Sequence, residues 1–409
     1  MPYILGRRDF SFLPAVSDAG FAAAGKKEAG MSHIMGGFRY FQLLGSLIVG
    51  VAFVAAPNAA RADAFEAYQI TGSFTVPSGS GPYDVLADGR LIALDGDTVY
   101  LETALRSRTF AVHGTLAGAD IPSFGAAFIR VSPDGTKIAV GNNGGNTSGF
   151  QVGVVDFNTL NGVWFDANHF VAEWIDNTNL AIAASDFFNG SSVTVLDTTS
   201  ADAANPTNTT IVANVGGASG GIAFDSAGNL FVGNGFSSIG PSGTGTIKAF
   251  TQAAWMAALS GGSAVDFENE GTLIVQVLGA SPLRFDVEGN LLAGGGGAAP
   301  ENDAVALVRA SAIADALSAM GAIDETDPTL VRRFDPIPSN DFNFYSVGYN
   351  AAGGEFYVRD YASTQLHVYR DVTGIPTVSQ WGLMSMSLLL MTLGTLVARR
   401  RIVSIVAVR

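Results

Sequence analysis

The sequence predicts an all-β fold, a six-bladed β-propeller of four-stranded blades, from three observations. One strand–turn–strand pattern recurs six times. Its turns fall at near-regular intervals. A spare strand before the first repeat supplies the strand that the last repeat lacks. Composition agrees: Gly makes up 50 of 409 residues, and short runs of Val, Ile, Phe and Thr alternate with turn residues, as strands joined by tight turns require.

The repeats read YDVLADGRLIALDG, IRVSPDGTKIAVGNN, AEWIDNTNLAIAAS, IAFDSAGNLFVGNG, LRFDVEGNLLAGGG and VGYNAAGGEFYVRD. Asp-Gly, Ala-Gly and Glu-Gly between alternating apolar residues signal hairpins, because Gly accepts the positive φ such turns need. The turn positions Gly89, Gly135, Thr178, Gly228, Gly289 and Gly353 are 46, 43, 50, 61 and 64 residues apart. Periods of roughly 40–50 residues correspond to one blade per repeat.

A third strand follows each hairpin (TVYLET, FQVGVVDF, SSVTVLDT, GTIKAF, AVALVR, TQLHVYR), and a fourth follows in the first five repeats (RTFAVHGTL, GVWFDA, TTIVANV, GTLIVQVLG, TLVRRFDP). The sixth repeat has none, and YQITGSFTVPS, ahead of the first repeat, is expected to pair into the last blade and close the ring. Repeats four and five owe their length to a shared insertion. KAFTQAAWMAALSGG and ALVRASAIADALSAM align without gaps and read as a third strand running into a short Ala-rich helix. A seventh blade, from two merged repeats, and a plain β-sandwich are the alternatives.

The ends differ from the middle, giving a leader region at 1–62, a propeller at 63–372 and a C-terminal segment at 373–409. Arg39 followed by the apolar stretch Phe41–Ala56 reads as a secretory signal, with Ala60-Arg61-Ala62 as the small-x-small site for signal peptidase and Asp63 as the first mature residue. Met31 would open a signal of ordinary length, which makes 1–30 a mis-assigned start. The rival is a twin-arginine leader on Arg7, Arg8 and Phe10. Trp381–Ala398 is 18 residues without a charge, at the lower edge of a membrane-spanning helix, and Arg399, Arg400 and Arg401 follow at once. The positive-inside rule keeps those arginines cytoplasmic and turns the propeller outward.

The flanking Ile375, Pro376, Thr377, Val378, Trp381 and Gly382 resemble the IPTL-type C-terminal sorting signal, a relative of PEP-CTERM signals: a Pro-containing motif, an apolar helix and an Arg cluster in that order. Val378 stands where Leu is usual, and Ile402–Arg409 extends past the Arg cluster. The resemblance implies an inner-membrane intermediate, an exosortase as processing partner and delivery to the cell surface or extracellular matrix of a Gram-negative-type bacterium. A permanent membrane anchor is the alternative. The hairpins VSPDGTKIAVGNN and FDSAGNLFVGNG resemble those of YVTN- and NHL-type propellers, a fold shared by adhesion modules and lactonases.

Residues 63–398 hold 12 Lys and Arg against 33 Asp and Glu, so about −21. Such a surface repels phosphate backbones and excludes nucleic acid as a partner. There is no cysteine, hence no disulfide, thiolate metal site or cysteine nucleophile. No H-E-x-x-H, G-x-S-x-G, P-loop or EF-hand pattern occurs.

His113, His169 and His367 fall in different repeats and read as isolated histidines. Asp95 with Asp97, and Asp266 with Glu268, are candidate calcium ligands, with surface solvation as the plainer reading. Asp84, Asp225 and Asp286 are expected to cap turns. Phe187, Phe188 and Phe236, in Gly/Ser/Asn-rich loops between second and third strands, are candidate contacts to a sugar or peptide on the rim.

The expectation is a surface-sorted module without catalysis, in adhesion or matrix assembly, that binds a polysaccharide or protein. The alternative is a metal-dependent, lactonase-like hydrolase using channel carboxylates. A solute-binding or sensory propeller is the third option.

Overall fold

The computed structural model describes residues 64–77, 82–122, 125–144, 149–183, 191–216, 220–235, 245–277, 282–295, 305–319, 321–334, 345–360, 363–372 and 388–392. The chain divides into Met1–Ala60 and Arg61–Arg409, and all described residues lie in the second unit.

The short strands alternate or run apolar because both faces of a blade are covered by its neighbours. A four-residue helix α1 (Ala64–Ala67) leads into β1 (Tyr68–Thr75). Blade 1 is β2 (Tyr83–Val85), β3 (Leu91–Asp95), β4 (Thr98–Glu102) and β5 (Phe110–Thr115). Blade 2 is β6 (Phe128–Val131), β7 (Lys137–Gly141), β8 (Gln151–Asp156) and β9 (Gly162–Asp166). Blade 3 is β10 (Val171–Trp174), β11 (Asn179–Ala183), β12 (Ser191–Asp197) and β13 (Asn208–Val215). Blade 4 begins with β14 (Ile222–Phe224), β15 (Leu230–Gly233) and β16 (Thr246–Phe250). Its insertion follows as α2 (Gln252–Leu259) and β17 (Val265–Asp266), and β18 (Thr272–Gln276) completes it. Blade 5 is β19 (Leu283–Phe285), β20 (Leu291–Ala293) and β21 (Val305–Val308), then α3 (Ala310–Ala319) and β22 (Val331–Phe334). Blade 6 is β23 (Tyr345–Asn350), β24 (Glu355–Asp360) and β25 (Gln365–Asp371).

The spare strand does what the repeat count requires. β1 pairs antiparallel with β25, Tyr68 opposite Asp371 and Thr75 opposite Gln365, and becomes the outer strand of blade 6. The innermost strands touch in the cyclic order β2, β6, β10, β14, β19, β23 and back to β2, so the ring closes at six. Each interface between neighbouring blades among the described residues has its own apolar cluster, for example Ile92, Leu94, Ile129 and Val140 between blades 1 and 2. The core is thus six seams rather than one centre.

The duplicated insertions act as straps. α2 packs on β13 of the preceding blade, burying Trp255. β17 then adds a short parallel pair to that strand, Val212 opposite Val265, making blade 3 five-stranded. α3 packs likewise on β18, and the Ile323 N–H donates to the Ile274 carbonyl (2.7 Å). The sequence does not signal the parallel pairing, because a two-residue strand has no periodicity. In blade 6 it is Gly354 that takes positive φ (58°), one position after the expected turn residue.

Phe187, Phe188 and Phe236 lie outside the described residues, as do Ala60, Ala62, Asp63, Ile375, Pro376, Thr377, Val378, Trp381, Gly382, Arg399, Arg400 and Arg401. Of the C-terminal segment, 388–392 is helical, with Leu388, Leu389, Leu390 and Met391 exposed. Among the described residues no helix is long and apolar enough to cross a membrane.

Candidate functional site in the central channel

Most polar residues singled out in the sequence have structural work. Asp225 and Asp286 cap their turns identically. One Oδ1 accepts from the N–H of Ala227 and Asn229 (2.9 and 2.8 Å), the other from Glu288 and Asn290 (2.9 and 2.8 Å). Asp84 departs from that expectation. It sits on β2, and its Oδ2 accepts from the Val131 N–H of blade 2 (2.8 Å), tying two blades together.

Asp266 in the second calcium candidate accepts from the Glu268 N–H (2.9 Å) and from Asn269 Nδ2 (2.8 Å). The Asn269 contact leads in holding its carboxyl below the ordinary aspartate value. The same loop already has a cation. Lys248 Nζ donates to the carbonyls of Phe267 (2.7 Å), Glu268 (2.9 Å) and Glu270 (3.4 Å). Asp97 Oδ1 accepts from Thr98 Oγ1 (3.3 Å). Among the described residues no three His, Asp or Glu side chains are grouped to hold a metal ion.

His169 is fully buried between Phe128 and Phe150. Its Nδ1 lies 2.8 Å from the Ala167 carbonyl and its Nε2 accepts from the Asn143 N–H (3.2 Å), which assigns the neutral Nδ1–H tautomer. Burial lowers its pKa to about 4. A Cβ at Gly141 would lie 2.5 Å from the His169 ring, so glycine is needed there for the fit.

The unabsorbed charges are in the channel. Five residues before each turn position, the six inner strands carry Asp84, Arg130, Glu173, Ala223, Arg284 and Gly348. A charge in this column of otherwise apolar strands is costly unless paired. Arg130 is nearly buried; its Nε donates to the Ala172 carbonyl (3.0 Å) and its Nη1 to the Ile129 carbonyl (2.7 Å). Arg284, on blade 5, passes blade 4, where the column holds only Ala223, and reaches Glu173 on blade 3. Arg284 Nη1 is 2.6 Å from Glu173 Oε2, and Arg130 Nε is 3.6 Å from the same oxygen.

The contact is an ion pair without hydrogen-bond alignment, for Glu173 Oε2 is buried and accepts no hydrogen bond. Desolvation first, then the neighbouring Arg284 charge, draws the Arg130 pKa down to about 10, with Asp84 and Glu173 opposing. Tyr83 beside them is raised by burial, against hydrogen bonding to Ser346 and the positive charge of Arg359, Arg130 and Arg284. Its hydroxyl donates to the Tyr357 carbonyl (3.1 Å).

These channel residues were missed from the sequence. The available signal was the stacked repeats themselves, in which one column reads Asp, Arg, Glu, Ala, Arg, Gly.

No family model matches the chain, and no curated protein matches it either. Among solved structures, it is similar to the PQQ domain of pyranose dehydrogenase from Coprinopsis cinerea, at 13% identity and a TM-score of 0.47, over 74% of this chain and 97% of that one. It is also similar to XC5397, a gluconolactonase from Xanthomonas campestris, at 11% identity and a TM-score of 0.45, over 74% of this chain and 94% of that one. At such identities and scores these likenesses say nothing of what this chain binds. The propeller is established by its own strand pairing.

Proposed function

We propose that the chain is an exported propeller acting as a non-catalytic binding or structural module at the cell surface or in the extracellular matrix. One observation supports it above the others: among the described residues, the carboxylates of the inner strands face partners inside the protein, Asp84 accepting from the Val131 N–H and Glu173 ion-paired with Arg284. A hydrolytic metal site needs carboxylates free to ligate. In this reading signal peptidase cuts after Ala62, an exosortase processes the Ile375–Arg401 segment, and the partner is a polysaccharide or protein. The surplus of 33 Asp and Glu over 12 Lys and Arg in residues 63–398 opposes nucleic acid as partner.

The test combines two measurements on the native protein. Mass spectrometry of both termini, on membrane and extracellular fractions, is expected to give a chain that starts at Asp63 and ends near Pro376. Retention of Trp381–Arg409 in the membrane would replace sorting with a permanent anchor. Metal analysis and lactone-hydrolysis assays of the same material are expected to show no chelator-sensitive turnover. A stoichiometric divalent ion whose removal abolishes hydrolysis would overturn the non-catalytic reading.

A further inference from the structure

The domain has few cations, and two of them face each other in its channel. Arg130 and Arg284 share one oxygen, Glu173 Oε2, which accepts a hydrogen bond from neither. Among the described residues, Arg284 Nη1 donates to the Leu283 carbonyl (2.9 Å), while its Nε and Nη2 bond to no protein atom. Arg130 donates through Nε and Nη1, and its Nη2 is likewise without a protein acceptor. A guanidinium is planar with fixed donors and is satisfied best by a two-oxygen acceptor lying across its edge. Glu173 does not provide that alignment. Its side chain is 27% exposed, so solvent reaches this level of the channel. On blade 4 the column holds Ala223, which leaves the Arg284 side chain room to cross.

We propose that the channel at the level of Arg130 and Arg284 binds a small oxyanion, with Glu173 as the internal counter-ion that the ligand displaces. The recognised chemistry is a carboxylate or phosphate oxygen pair held by two guanidinium groups that are already oriented by backbone carbonyls. The inference deepens the binding-module reading and rests on it. The ligand class is acidic, the opposite of what the domain's net charge of about −21 suggests from outside.

The measurement is calorimetric titration of the mature exported chain at constant ionic strength with glucuronate, inorganic phosphate and neutral glucose. Saturable binding of glucuronate or phosphate, absent with glucose, is expected, and the stronger of the two separates a carboxylate from a phosphate source. Arg284→Met is expected to weaken it at least tenfold. Glu173→Gln is expected to strengthen it several-fold by removing the competitor, a sign of change that a merely structural bridge would not give. If Arg284→Met does not fold, Arg284→Lys keeps the charge and loses the fork, and weaker binding is again expected. No saturable binding of either anion, in both the parent chain and Glu173→Gln, overturns the proposal, as does affinity unchanged in the Arg284 variant. That failure would leave the non-catalytic reading standing, since only metal-dependent turnover sinks the latter.

Discussion

The seam between blades 6 and 1 and the seams around blade 4 each have an apolar core and differ in what is added to it. Around blade 4 the helices pack by apolar contact: α2 and α3 lie on the outer strand of the preceding blade and bury Trp255 and Ile313, with backbone bonds added at β17 and Ile323. Between blades 6 and 1, Glu355 is fully buried and collects Arg370 Nε (2.9 Å), Arg108 Nη2 (3.0 Å), the Tyr357 hydroxyl (2.8 Å) and Arg106 Nε (3.2 Å). Arg108 also lies over the Phe74 ring, 4.6 Å from its centroid. Burial pushes the Glu355 carboxyl up, but Arg370, Tyr357 and Arg108 together hold it below the ordinary glutamate value.

Helical straps tolerate small slips, because dispersion is non-directional. The closing seam joins segments more than 240 residues apart, as in Arg108 to Glu355, and directional bonds fix its register. Gly89 marks the tightest approach there. It has φ of 84°, and a Cβ would lie 2.7 Å from Asn350 Oδ1.

The contrast can be broken in graded steps. Glu355→Ala should cost about 3 kcal/mol in chemical denaturation, the lower end of the range for breaking a buried pair, because its arginines are part-exposed and can rehydrate. A loss below about 1 kcal/mol would mean the seam is held by Tyr83, Leu91 and Leu366 instead.

Acid next separates the closing seam from His169, which packs on Phe128 and Phe150 beside blade 2. His169 binds no proton in the folded state until about pH 4, whereas the unfolded chain takes one near 6.5. Its contribution is therefore complete above pH 6.5 and is lost as pH falls towards 4, about 3 kcal/mol in all at 1.36 kcal/mol per unit. The Glu355 contribution, with its pKa depressed, persists until pH drops below the ordinary carboxylate range. Stability measured from pH 7 to 4 should thus slope downward, and His169→Gln should flatten it; an unchanged slope would acquit His169. The smallest effect belongs to a strap. Thr251 Oγ1 accepts from the Ala254 N–H (3.3 Å) at the start of α2, and Thr251→Ala should cost about 1 kcal/mol with no dependence on pH.

What was legible in the sequence was local or repeated. The hairpins, the closing strand and the two insertions all show as patterns within one repeat or between two. The pairs that stabilise and charge the ring do not. Arg284 and Glu173 are 111 residues apart, and only the ring brings blades 3 and 5 to the two sides of blade 4, within reach of each other. Glu355 reads as an ordinary surface carboxylate at a strand start, yet it has no exposure. Lys248 is a single cation in β16, and only the strap's return places three carbonyls on its ammonium.

The pairing of β1 with β25 has a mechanical consequence. β25 is bonded on both sides, to β24 as far as Arg370 and to β1 as far as Asp371. Tension applied to the chain beyond Asp371 would pull β25 lengthwise against two partners at once, so several hydrogen bonds must yield together. Tension on the chain before Tyr68 would meet α1 first, where Phe65 is buried and Arg332 donates to the Phe65 and Tyr68 carbonyls, and then β1, which pairs as a strand with β25 alone. The C-terminal end is thus held by strand pairing on two sides, and the N-terminal end by one strand and the side chains that clasp α1.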